Sequence, residues 1–101
     1  GLTTTAGRIC NTTRIVVGDS PYTILSTDHH IFCDTDGGAI TVEFLAGVNG
    51  TEYRLINTGT AGNNLILTPN GAELLIGANS NFTLADGEAL EVVYETTEGW
   101  Y

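Results

Sequence analysis

Short bursts of apolar residues, each closed by a cluster of turn formers, run the length of the chain. In Ala39-Ile40-Thr41-Val42-Glu43-Phe44, Ile40, Val42 and Phe44 share one face and Thr41 and Glu43 the other. That period of two marks a half-buried strand. Leu90, Val92 and Tyr94 alternate likewise within residues 88–95, and residues 13–17, 22–25, 29–34, 52–57 and 82–84 are further strand candidates. Between them lie Gly18-Asp19-Ser20-Pro21, Thr35-Asp36-Gly37-Gly38, Ala85-Asp86-Gly87 and Thr96-Thr97-Glu98-Gly99. Punctuation at intervals of roughly 8–12 residues, with no sustained 3.6 period, predicts an all-β fold of many short antiparallel strands in a small sandwich or β-prism.

Residues 63–77 give the sharpest local expectation. Leu65-Ile66-Leu67 and Leu74-Leu75-Ile76 flank Thr68-Pro69-Asn70-Gly71. Proline presets φ for a turn, and Asn-Gly tolerates positive φ, so the stretch reads as strand, tight turn, strand. Residues 1–11 are polar and Thr-rich without a clear period and look like a connecting segment.

Composition narrows the function classes. At 101 residues the chain suits one domain, and its 42% hydrophobic content argues against wholesale disorder. The net charge is −9, with Arg8, Arg14 and Arg54 the only basic residues apart from two histidines. No cationic footprint for nucleic acid can be assembled, nor one for an anionic membrane surface. No apolar run approaches the roughly 18 residues of a spanning helix. The chain contains no Met, so we expect a fragment of something longer. Cys10 and Cys33 permit at most one disulfide, and Cys33, within Ile31-Phe32-Cys33, reads as a small buried hydrophobe.

Catalytic and metal signals are sparse. Asp34-Thr35-Asp36-Gly37 resembles the start of a calcium loop, but Leu45 stands where the bidentate Glu would fall, so a plain turn is preferred. Ser26, Asp28 and His29 are the residue types of a hydrolase triad without a nucleophile elbow, and sequence adjacency does not supply triad geometry. No catalytic residue and no cofactor is expected. Asn11-Thr12-Thr13, Asn49-Gly50-Thr51 and Asn81-Phe82-Thr83 match the glycosylation sequon.

The order of signals resembles a module of tailed-bacteriophage tail fibres and tailspikes. The resemblance rests on Tyr22-Thr23-Ile24, Asp28, Ile31-Phe32-Cys33-Asp34 and Gly37-Gly38-Ala39-Ile40-Thr41-Val42, then on residues 50–57, 63–77 and 88–101. It covers about 22–101, leaving 1–21 as the end of an upstream shaft or linker. It implies an intertwined homotrimer in the phage tail, a virion protein made in the bacterial cytoplasm. Its distal module would attach to the host, commonly through surface polysaccharide, or hold the trimer together. A capsule-degrading fragment is the alternative. Sequons in such a protein would be ordinary turn residues.

Within that resemblance, aromatic side chains are the most plausible ligand surface: Trp100, Tyr101 and Tyr53, with Tyr94 and Tyr22 beside them. For Trp100 and Tyr94 we prefer core or interface packing over sugar stacking. His29 and His30 point to opposite faces if both lie on a strand, so they cannot chelate one ion together, although a three-fold axis could gather three copies of one. A surface or core-edge histidine is preferred.

Overall fold

A computed structural model describes residues 11–101. Residues 1–10, including Cys10, Arg8 and most of the expected connecting segment, lie outside the described residues.

The strands are β1 (Thr12–Val16), β2 (Tyr22–Thr23), β3 (His30–Asp34), β4 (Ile40–Glu43), β5 (Glu52–Asn57), β6 (Leu65–Thr68), β7 (Phe82–Leu84), β8 (Ala89–Glu95) and β9 (Gly99–Trp100), with a 3₁₀ turn at Val17–Asp19. Their positions follow the apolar bursts closely, and the all-β reading holds. Ile40, Val42 and Phe44 are all buried. On β8, Val92 is buried while Ala89, Glu91, Val93 and Glu95 face out.

Strand direction differs from expectation. The sheets run β1-β3-β5-β8-β9 and β2-β4-β6-β7. From β1 to β6 the chain alternates between them, and four of the seven pairings among the described residues are parallel. The first six strands therefore form three stacked rungs, each rung giving one strand to each sheet. Antiparallel β7, β8 and β9 follow at the last rung. An antiparallel sandwich or prism is thus corrected to a short β-solenoid with an antiparallel end. The physical reason is that period-two alternation reports which face is buried, not which way the neighbouring strand runs. Each crossing to the opposite sheet returns the chain to its first sheet running in the same direction.

The stretch 63–77 is corrected for the same reason. A turn does form, with the Glu73 N–H donating to the Asn70 carbonyl at 2.9 Å. The second apolar run does not return along β6. It bridges Leu75 to Ala78 and to Trp100 instead. β6 is already paired on both sides, with β4 and with β7.

One core lies between the sheets, built of in-register ladders. Tyr22, Val42, Leu67 and Phe82 align across one sheet, as do Ile40, Leu65 and Leu84. Ile15 and Cys33 align across the other with Asn57. Ile15 of β1 joins the same buried cluster as Val92 and Trp100. Cys33 is a free, buried thiol, as expected of a small hydrophobe, and burial pushes it up to about 12.

Asn57 is the exception in the ladder, a fully buried polar side chain with every position filled. Its Oδ1 accepts from the Thr35 hydroxyl at 2.7 Å and the Gly59 N–H at 2.9 Å. Its Nδ2 donates to the carbonyls of Asn63 at 3.1 Å and Leu84 at 3.0 Å. One amide thus ties β5 to the β3–β4 corner, the loop before β6 and the end of β7, which offsets its desolvation.

Candidate functional site

Three of the aromatic residues singled out from the sequence, Trp100, Tyr53 and Tyr94, converge at the β9 end of the core, while Tyr22 lies apart on β2. Trp100 meets Phe44 edge-on at 4.9 Å, Tyr94 edge-on at 5.0 Å and Tyr53 at 5.4 Å between ring centroids. Trp100 is 1% exposed and Tyr53 4%, so neither offers a ring face to a ligand. The packing role preferred for Trp100 is the one the structure places there. Tyr53 sits in the same interior, and burial raises its phenol above the usual range, with the Asp28 charge adding to the effect. Tyr101 is different. It is 53% exposed and pairs its backbone with Val93 in both directions, at 2.6 and 3.0 Å.

Half-buried Tyr94 opens the interior to the surface. It borders a cleft of about 400 Å³ between residues 70–74 and the β8–β9 turn, with Glu73, Thr97 and Glu98 also lining it. The walls are locked together. The Trp100 N–H donates to the Leu74 carbonyl and the Ile76 N–H to the Trp100 carbonyl, both at 2.9 Å. Gly99, with φ at 92°, lies so close that a Cβ there would stand 2.7 Å from the Leu74 carbonyl oxygen. The turn itself is held by the Glu95 carboxylate, which accepts from the Thr97 and Glu98 N–H groups at 2.8 and 2.7 Å.

Glu73 is the polar pivot of this corner. Its Oε2 accepts from the Gly47 N–H at 2.9 Å and its Oε1 from the Trp100 indole at 3.3 Å. Nothing in the sequence around Glu73 marks it for this role. Its long-range partners, Gly47 and Trp100, carry no local signature.

The other candidates resolve as follows. Ser26, Asp28 and His29 border one cleft of about 280 Å³. Asp28 is not oriented on a histidine. It accepts from the Thr13 hydroxyl at 2.6 Å, the Tyr22 hydroxyl at 2.7 Å and the Leu25 N–H at 2.8 Å. Burial, then that hydrogen bond to Asp28, pushes the Tyr22 phenol up to about 12. Asp28 therefore acts as a structural tie among β1, β2 and the loop before β3.

His29 and His30 both border a small cleft with Glu52, Arg54 and Glu91. Among the described residues no group of three or more His, Cys, Asp or Glu side chains is arranged to hold a metal ion. In the calcium-like turn, Asp34 takes the Arg14 guanidinium at 2.6 Å and the Asp36 N–H at 3.0 Å. Asp36 accepts from the Thr60 N–H at 2.6 Å, which holds its carboxyl below the usual range. Both carboxylates are used in fixing corners. No helix among the described residues is long and apolar enough to cross a membrane.

Compared with models of known protein families and with curated protein sequences, the chain matches none.

Proposed function

We propose that the chain is a distal module of a bacteriophage tail fibre, a virion component that assembles as a homotrimer and attaches to the host cell without catalysing a reaction. The observation that carries this reading is the stacking of parallel rungs in constant register from β1 to β6. Stacked rungs build a stiff element that lengthens by repetition, which suits a shaft, while the antiparallel β7–β9 end suits a distal module. The rigid cleft beside Tyr94 supplies a place for a bacterial surface polysaccharide, and the acidic surface keeps nucleic acid and anionic membrane away.

A trimer clamp without receptor contact is the second reading, and a specific observation favours it. Ile76, Val93 and Tyr101 are exposed apolar or aromatic residues on segments that are hydrogen-bonded neighbours. Burying such a group between copies would stabilise an assembly.

The test has two arms. Light scattering on the size-separated protein should report three chains per particle, and a stable monomer at micromolar concentration would defeat the trimer. Fluorescently labelled protein should bind cells of a susceptible bacterium and slow phage adsorption. A trimer that does neither is a clamp. New reducing ends released from purified capsule would instead make it an enzyme.

A further inference from the structure

We infer that the cleft between residues 70–74 and the β8–β9 turn binds a saccharide unit without negative charge, a neutral hexose or N-acetylhexosamine of a surface glycan. This rests on the attachment reading and adds the class of ligand and the groups that take it.

The cleft is preorganised. Its two walls are joined by backbone hydrogen bonds through Leu74, Ile76 and Trp100, and Gly99 sets their approach. A ligand entering it does not have to order a loop, which removes one of the main costs of weak binding. The volume of about 400 Å³ lies in the range of small-ligand sites, and the cleft is open to solvent.

The polar groups match hydroxyls. Each Glu73 carboxylate oxygen is held by one donor, from Gly47 or Trp100, and retains acceptor capacity for a second. A fixed carboxylate accepts hydrogen bonds from two neighbouring sugar hydroxyls, and such charge-assisted bonds are the stronger kind. Tyr94 forms no hydrogen bond through its hydroxyl among the described residues, so that group is free to donate or accept. Its ring is pinned, because Trp100 meets it edge-on and a Cβ at Gly47 would overlap it. Thr97 adds a hydroxyl at the rim.

Charge selects the class. Glu73 and Glu98 border the cleft, and the chain carries −9 overall. The described arginines, Arg14 and Arg54, stand on β1 and β5 and do not line it. A uronate, sialate or phosphate placed here would meet like charge, with no arginine lining the cleft among the described residues to offset it.

The test titrates the full chain with short neutral oligosaccharides of glucose, galactose, mannose and N-acetylglucosamine, and with oligogalacturonate, reading affinity calorimetrically. At least one neutral series should bind, and oligogalacturonate should bind at least about tenfold more weakly. Tyr94→Phe removes only the hydroxyl and should weaken binding about three- to tenfold. Thr97→Trp fills the rim from an exposed turn and should abolish binding while leaving the thermal midpoint unchanged. Oligogalacturonate binding as tightly as the neutral sugars would overturn the inference, as would no sugar binding at all or full binding by Thr97→Trp. Labelled wild-type protein and Thr97→Trp are then applied to bacterial cells. If neither binds, the attachment reading itself fails. Equal binding by both means that attachment stands and the cleft is not its site.

Discussion

Replacing Asn57 should be among the most damaging single changes in this protein. Asn57→Ala strands a buried Thr35 hydroxyl and the Gly59 N–H, and takes a donor from the carbonyls of Asn63 and Leu84. A buried polar group left unpaired costs about 1–3 kcal/mol. The two donors lose the acceptor the structure gives them, whereas each carbonyl keeps other lone-pair capacity. Weighting the donors most heavily gives a loss of about 4 kcal/mol. That is a large part of the roughly 5–15 kcal/mol that holds a domain of this size together. Urea unfolding followed by circular dichroism measures it. With an m-value of about 1–1.5 kcal/mol/M, the midpoint should fall by about 3 M. Protein concentration must match between variants, because any self-association would shift apparent stability. Asn57→Leu separates the causes: it keeps the branched outline at a larger volume and leaves no cavity, but strands the same groups, so it should lose at least as much stability. If Asn57→Leu unfolds within about 0.5 kcal/mol of the wild type, the hydrogen-bond account is wrong and packing alone governs the site.

Further outcomes follow from other parts of the structure. Trp100→Ala should cost about 3–5 kcal/mol, and native Trp100 emission should be blue-shifted and shielded from acrylamide; ready quenching would place the ring at the surface after all. Gly99→Ala combines positive φ with a close approach to the Leu74 carbonyl and should cost about 1–3 kcal/mol in thermal unfolding, a value near zero contradicting the locked corner. Alkaline pH should destabilise the fold. Cys33 and Tyr22 are raised from 9.0 and 10.0 to about 12, so their neutral forms are favoured in the folded state. That contribution is complete below about pH 9 and is lost as pH rises toward 12, because the folded protein then holds more protons than the unfolded chain. The urea midpoint should fall through this window, and Cys33→Ala should flatten the lower part of the fall; a midpoint that rises would reverse the sign.

Much of this protein is set by local sequence. Alternation in residues 40–44 and 90–94 fixes which side chains turn inward, and the turn clusters around Gly18, Gly37 and Gly87 fix where strands stop. These are properties of a few adjacent residues, which is why strand positions and the burial of Cys33 were legible. Direction and pairing were not. Leu65-Ile66-Leu67 has the same pattern whether it meets Leu74–Ile76 across a hairpin or β4 in a parallel rung, and only the completed sheet decides. The site divides the same way. That Trp100 packs inward rather than stacking on a ligand is the reading preferred from the chain. That Trp100 and Tyr53 are the site's interior, Tyr94 its opening and Glu73 its fixed carboxylate depends on residues far apart in the chain, from Gly47 with Glu73 to Phe44 with Trp100. Burial and long-range hydrogen bonding are collective quantities, and they exist only once the rungs have stacked.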